Sequence, residues 1–552
     1  MPPKRKDLLK AGSKSKSKAQ DPQSENDFLE AADEFELSAG KWRAGDLAKA
    51  IRFFNRGIDM YNAGLQRYPN SFDLAYNKAN LEYNMCEDDR VVAALGNRIN
   101  LLKETLASHR VATALGPENT DVLFNTGQVL TSLAEALLGK ETQESAESPA
   151  STLLEEAVDL FTRCLASQQQ EYEQMQIEIA KANAMQVEEA PALENSSDKI
   201  PATQEAMETS SVSSEAPEEW ATVIDPVTPE TILETCTAQL GALTTLLSLY
   251  NASNASSVWF RAQYGMDTAQ TKIPQLISVI EQSPSSKPAE EPAAGPTLSL
   301  SSSSAVEGST SPKDDAILAV ANFQVGIAEV TYRSNSCTSE QYASQIESTF
   351  APLLQEHPGS KDVSTYSVNV RASYADSLMS LSSAIPDSPY YTNQSPTLAA
   401  DLEIQWKALT QAQTILTALS SGASATIASP TRLADIFLAR GDADLFRFRI
   451  SSFASAKASW VKSKGVLVAN AGVYYRGARS YAEKAGLIEV QKTADAKAIV
   501  AEVLKAAVNG AGLGKEVWDG KGTEIGTVLR QMVDEGIMGQ EEGSHLINSI
   551  AA

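Results

Sequence analysis

Apolar residues recur every three to four positions along most of this chain. Between residues 151 and 167, Leu153, Leu154, Ala157, Val158, Phe161, Cys164 and Leu165 fall at i, i+1, i+4, i+5, i+8, i+11 and i+12, one face of a helix. No sustained alternation of period two interrupts that pattern. Strands are therefore expected to be scarce or absent, and the fold class is all-α. Helical periodicity fills residues 27–182, about 230–282, and 314–512. Residues 1–26, 183–229 and 283–313 are poor in large apolar side chains and rich in Ser, Pro, Glu and Ala. They bury too little to offset the entropy of ordering and are expected to be disordered. Residues 513–552 look like a polar, Gly-containing extension with short helices. A chain of 552 residues also exceeds one hydrophobic core, so two or three domains are expected.

Charge narrows the choice of partners. Lys and Arg number 46 against 70 Asp and Glu, for a formal charge of −24. The first twenty residues run the other way, with seven Lys/Arg and Asp7 giving +6, so the remainder carries −30. Such a body repels nucleic acid and anionic membrane and attracts basic proteins. Counted through Glu230, the second linker holds eleven Asp/Glu against Lys199, a tethered polyanion of about −10. The third linker carries Ser301–Ser304 and two Ser-Pro candidates for phosphorylation, Ser283 and Ser311. Lys4, Arg5 and Lys6, with Lys14, Lys16 and Lys18 beyond them, have the look of a nuclear import signal. That suggests residence in both nucleus and cytoplasm. No secretory leader and no run of 18 apolar residues is evident, so a soluble protein is expected. Cys86, Cys164, Cys236 and Cys337 sit singly within helical patterns and are expected to be buried thiols.

Aligning the helices on their small residues brings out a repeat. Leu37-Ser38, a Gly45-Asp46 turn, then Ala50, Phe54 and Gly57 form one unit, whose second helix runs two turns long before Pro69. Leu74-Ala75-Tyr76-Asn77-Lys78-Ala79-Asn80 opens a second unit, ending at Ala112 ahead of Pro117. Val122-Leu123-Phe124-Asn125-Thr126-Gly127-Gln128 opens a third, which resumes after a polar insertion at 140–150 with Ala157, Phe161 and Cys164. Small residues let paired helices approach closely and large ones fill the remaining gaps. A lone hairpin cannot bury its own apolar face, so neighbours must stack.

On these residues, positions 27–167 resemble the tetratricopeptide-repeat family. Lys78 and Glu82 depart from it, standing where the family has apolar residues. The resemblance implies a superhelix of helical hairpins, with a degenerate second array over 314–512. There, Leu433-Ala434 with a Gly441-Asp442 turn, and Tyr474, Tyr475, Ala478 and Ala482, echo the pattern. A helix end at His357-Pro358 is followed by a new helix through Tyr374-Ala375. Family geometry implies a groove lined by the first helix of each pair. It places there Phe35, Tyr76 and Phe124 as apolar anchors, with Asn77, Asn80, Asn84, Asn125 and Gln128 as amides able to grip an extended peptide backbone. Each aromatic has the alternative of packing between helices. Co-chaperones of the family that clamp an acidic C-terminus use two Lys, one Arg and two Asn. The matching positions here hold Phe35, Ala39, Asn77, Asp121 and Asn125, so that clamp is not expected.

Catalytic chemistry has few candidates. His109, His357 and His545 lack metal-ligand spacing. The stretch Gly510-Ala-Gly-Leu-Gly514-Lys515 hints at a phosphate loop, but Asn509 replaces its first glycine and Glu516 its hydroxyl. No cofactor or metal site and no enzymatic activity is expected. The expected function is a non-enzymatic adaptor or dedicated chaperone for a basic client such as a ribosomal protein. The alternatives are a structural subunit of a larger assembly, or a histone chaperone.

Overall fold

A computed structural model describes residues 21–139, 143–188, 226–251, 255–282, 310–355, 364–510 and 521–551. Lys4, Arg5 and Lys6, His357-Pro358 and the glycine-rich stretch after Gly510 lie outside the described residues, as do most of the three linkers. The described residues are helical and contain no strand.

Helix α1 (Glu25–Arg43) starts two residues earlier than the apolar pattern suggests, because its first turn is closed reciprocally. Ser24 Oγ accepts from the Asp27 amide at 3.2 Å, and the Asp27 carboxylate accepts from the Ser24 amide at 2.9 Å. The Gly45-Asp46 turn follows, with Asp46 capping the 21-residue helix α2 (Leu47–Arg67). Helices α3 (Phe72–Cys86) and α5 (Arg98–Leu115) form the second hairpin, with a short helix α4 (Asp89–Leu95) between them that the sequence pattern did not announce. Helices α6 (Thr120–Leu138) and α7 (Gln143–Glu188) form the third. α7 takes in most of the expected insertion at 140–150 and the first six residues of the expected acidic linker. Ala, Lys, Met, Gln and Glu at its end propagate a helix without needing an apolar face.

Helix α8 (Pro229–Ser248) is capped by Thr228. Helix α9 (Ala255–Asp267) passes through a π turn, Thr268–Lys272, into α10 (Ile273–Gln282). Pro274 has no amide hydrogen to offer the Gln270 carbonyl four residues back, which accounts for the widened turn. Helix α11 (Pro312–Arg333) begins inside the expected Ser/Pro-rich linker, where Ser311 is an N-cap accepting from the Asp314 amide at 3.1 Å. Then come α12 (Ser339–Gln355), α13 (Thr365–Ala384), α14 (Leu398–Leu419), the short α15 (Gly422–Ile427), α16 (Pro430–Ile450), the short α17 (Ala458–Lys462), α18 (Lys464–Ala485), α19 (Ile488–Val508), α20 (Gly522–Asp534) and α21 (Gln540–Ala551).

Packing runs as a relay in which single helices serve two cores. α3 gives Leu74, Leu81 and Met85 to the first core and Tyr83 and Cys86 to the next. α11 faces α8 with Phe323 and Val330 and turns Ala321, Val325 and Ala328 the other way. α14 divides in the same manner between Ala408, Ala412 and Leu398, Leu402, Leu409. The chain is thus one continuous stack of helical hairpins, and the segment around residues 230–282 joins the two arrays.

Two expectations are corrected in the second array. Gly441-Asp442 is not a turn but the middle of α16, where the absence of a Cβ at Gly441 admits the Tyr475 ring. Residues 513–552 are more than an extension, since Ile525, Leu529 and Met532 are fully buried in the last core.

Candidate binding groove

The first helices of the three N-terminal pairs carry the expected groove residues, and the structure sorts them into engaged and free. Asn125, only 5% exposed, donates its amide to the Tyr76 hydroxyl at 2.8 Å and to Asn80 Oδ1 at 3.2 Å. This knot ties α6 to α3, so Tyr76, Asn80 and Asn125 are engaged with one another. Tyr76 also stacks on Phe72 at 5.4 Å, Phe124 meets Phe161 edge-on at 5.9 Å, and Phe35 lies beneath the Arg56 guanidinium at 6.0 Å. The three aromatics are therefore partly committed to neighbours. Asn77, Asn84 and Gln128 are half-buried, with side-chain amides that make no hydrogen bond to the described residues. Asn77 and Asn84 lie seven residues apart, on one face of α3.

The register of the first unit also shifts. Leu37, quoted with Ser38 as the small-residue position of the first helix, is 54% exposed, and the small residues α1 buries are Ala32 and Ala39. Ala39 has no access to a peptide, in keeping with the missing acidic-terminus clamp.

Electrostatics around the groove is uneven. Several nearby cations are already neutralised: Arg43 and Arg90 grip Asp88 at 2.9 and 3.0 Å, Lys78 pairs with Glu82 at 3.1 Å, and Arg98 bridges Glu87 and Asp89, while Arg56, over the Phe35 ring, has no carboxylate partner among the described residues. Burial opposes the Asp88 charge, but hydrogen bonds from Arg90 and Arg43 hold that carboxyl down at about 2. On α1, Glu30, Asp33 and Glu34 stand at i, i+3 and i+4, exposed, turned away from the Phe35 side of the helix and with no salt-bridge partner among the described residues. Desolvation and then the Glu30 charge push the Asp33 carboxyl up. One turn on, Glu36 accepts from the buried Tyr61 hydroxyl at 2.7 Å. Burial lifts its carboxyl to about 7, against that hydrogen bond and with help from Asp33. This ridge was missed by a reading tuned to aromatics and amides, although three like charges at helical spacing without a matching cation were visible.

Elsewhere among the described residues the titratable groups sit apart from one another or in structural pairs. His109 is buried against the Tyr83 ring, and burial pushes its imidazole down to about 4. Cys86, Cys164 and Cys236 are buried free thiols, the last two pushed up to about 12 by burial, while Cys337 is only half-buried. No group of His, Cys, Asp or Glu among the described residues is arranged to hold a metal ion, and no helix among them is long and apolar enough to cross a membrane.

No family model matches the sequence. A solved circular tandem repeat protein with novel repeat topology and enhanced subunit contact surfaces aligns over 95% of both chains, at 11% identity and a TM-score of 0.26, too low to carry an argument. The chain is similar to the UPF0656 protein C926.02 of Schizosaccharomyces pombe, 25% identical over 190 residues. That is 34% of this chain, and the match spans 41% of the yeast protein's length.

Proposed function

We propose that the protein is a non-enzymatic adaptor or dedicated chaperone that shields a basic segment of a client protein, such as a ribosomal protein. The observation that carries this reading is the unpaired carboxylate ridge Glu30-Asp33-Glu34 beside Glu36 on α1. Like charges at these spacings repel along a helix, and a bound Lys or Arg relieves the repulsion. Residues 27–182 hold twenty-five Asp/Glu against fourteen Lys/Arg, so long-range attraction works in the same direction. The free amides of Asn77, Asn84 and Gln128 then offer hydrogen bonds to the client's backbone.

Binding of a fluorescent lysine-rich peptide to the full chain, followed by anisotropy at low and high salt, tests the reading. Replacing the ridge by Glu30→Gln, Asp33→Asn and Glu34→Gln removes three exposed ion pairs, each worth about 0.2–1 kcal/mol, and weakens binding roughly tenfold. Salt-independent binding, or a triple variant that binds as tightly as the parent, would defeat the proposal. Affinity purification at both salt concentrations then identifies the client, with histones and ribosomal proteins as distinct outcomes.

The exposed Val466 and Val473, seven residues apart on α18, favour a second reading as a structural subunit. Fixed-stoichiometry co-migration from native extract distinguishes it from a releasable client complex. Deletion of residues 1–20 tests nuclear entry, and an unchanged distribution removes that part of the proposal.

A further inference from the structure

A second concave site lies away from the acidic ridge, where the π turn, α11 and α12 meet. It is a cleft of about 400 Å³, within the range of ligand-binding pockets. Its floor is apolar, formed by Phe323, Ile327, Ala328 and Tyr342. Gly265 makes the floor possible, because any side chain there would strike the Phe323 ring, so α9 can lie directly upon it. Around the rim stand four glutamines from three elements. Gln270, Gln324 and Gln345 make no side-chain hydrogen bond to the described residues. Gln341 accepts from the Thr338 amide at 2.9 Å and keeps its NH₂ free.

Two features select the occupant. In a chain of charge −24, the cleft is lined by no Asp, Glu, Lys, Arg or His, so a charged ligand would lose its hydration there without a counter-charge. The mouth also continues along α9 as an exposed apolar stripe. Trp259 and Met266, 42% and 36% exposed, are seven residues and thus about 10 Å apart on one face. A compact small molecule fills the cleft and leaves that stripe bare, whereas an extended chain covers both.

We propose that this cleft and the Trp259–Met266 stripe bind a short, extended, uncharged polypeptide segment, with an apolar side chain on Phe323 and its backbone amides held by the glutamine rim. The site is independent of the acidic ridge and needs no basic client.

Cys337 lines the cleft and is the half-exposed thiol of the four, the other three being buried. Its alkylation by N-ethylmaleimide in the full chain, located by mass spectrometry, reports occupancy. The probes are three pools of short blocked peptides, one uncharged and rich in Leu, Val, Thr and Ser, one rich in Lys, and one rich in Glu. The uncharged pool is expected to slow alkylation about fivefold when present at several times its dissociation constant, equally at low and high salt. The charged pools should not protect. Gln324→Glu, an exposed rim substitution, should abolish protection, and Ala328→Leu, which fills the floor, should do the same. The triple α1 variant should leave protection intact, so failure here and failure of the acidic groove are distinguishable. Absence of protection by the uncharged pool, equal protection by all three pools, or full protection of the Gln324→Glu variant would overturn the proposal. So would equal protection by a neutral detergent monomer in place of peptide.

Discussion

Lys497→Met is the sharpest test of how the second array is held together. Lys497 is 2% exposed and contacts both oxygens of Asp442, at 2.9 and 3.1 Å, with Glu535 at 3.7 Å. The fully buried Tyr475 hydroxyl completes the cluster by donating to Asp442 at 2.7 Å. Four elements meet here: α16, α18, α19 and the end of α20. Methionine keeps most of the side chain's volume but strands the Asp442 carboxylate with only the Tyr475 hydrogen bond. Breaking a buried ion pair from one side costs about 3–5 kcal/mol, whereas replacing both partners with neutral groups is close to neutral. The double variant Lys497→Met/Asp442→Asn, in which Asn still accepts from Tyr475, is therefore expected to recover most of the loss. Helical arrays do not unfold as one unit, so the suitable assay is native-state hydrogen exchange on amides of α16, α18 and α19. A loss below about 1 kcal/mol in the single variant, or a double variant no more protected than the single, would refute the claim that the ion pair is what the core tolerates and the lone carboxylate what it does not.

Four further outcomes follow from the N-terminal array. Glu36→Gln keeps an acceptor for Tyr61 and removes a carboxylate raised to about 7 from an ordinary value of 4.5. The unfolded chain ionises first, so native Glu36 costs stability progressively as pH rises from about 4.5 to 7. The variant should match the parent near pH 4 and exceed it by about 2–3 kcal/mol above pH 8, measured by native-state hydrogen exchange on α1 and α2 amides at both pH values. Gly127→Ala drives a methyl group to 2.6 Å from the Phe161 ring and should lose about 1–3 kcal/mol, while Gly40→Ala, with open space around it in α1, should gain about 0.4–1 kcal/mol, each read by native-state hydrogen exchange on the helix concerned. Ser24→Ala removes the α1 cap and should cost about 1 kcal/mol, seen as faster exchange confined to the first turns of that helix.

What could be read in advance follows from how local each determinant is. Asp46 caps α2 through its own turn, and Phe161 meets Gly127 through a spacing written into both helices, so the hairpins were legible. Gly441-Asp442 has the same letters as Gly45-Asp46 and the opposite outcome. Its meaning is set by Tyr475 and Lys497, 33 and 55 residues away, and no local pattern conveys that. Leu37-Ser38 marked the small-residue position of the first helix, but the small side chains α1 buries are Ala32 and Ala39, a register that depends on α2 and leaves Leu37 exposed. Among the groove residues, chemistry was predictable and availability was not. Asn125 and Asn77 are equally able to grip a peptide, but only the fold shows that Asn125 is already bonded to Tyr76 and Asn80.

The described helices on either side of residues 189–225 pack against one another, and α8 shows why. It buries Ile232, Leu233, Cys236, Leu240, Leu243, Leu246 and Leu247 on one broad face, with Glu234, Gly241 and Ser248 exposed opposite, and that face is wide enough to present one flank to each of two neighbours. It finds α7 on one and α11 on the other. Across the α7 seam, Gln239 donates to Thr162 at 2.9 Å, and Arg261 of α9 pairs with Asp159 of α7. Cutting the chain with a site-specific protease at a site engineered within residues 189–225 should therefore leave the halves joined. If half of thirteen buried apolar side chains of α7 and α8, Leu154, Ala157, Val158, Phe161, Cys164 and Leu165 on the first and the seven above on the second, meet at the seam, the gross stabilisation is on the order of 10–20 kcal/mol. That exceeds most of the roughly 4–15 kcal/mol lost in holding two bodies together. The nicked protein should elute as one species at micromolar concentration and separate only in denaturant. Two peaks under native conditions would mean that the acidic linker, and not the α7–α8 seam, is what keeps the arrays together.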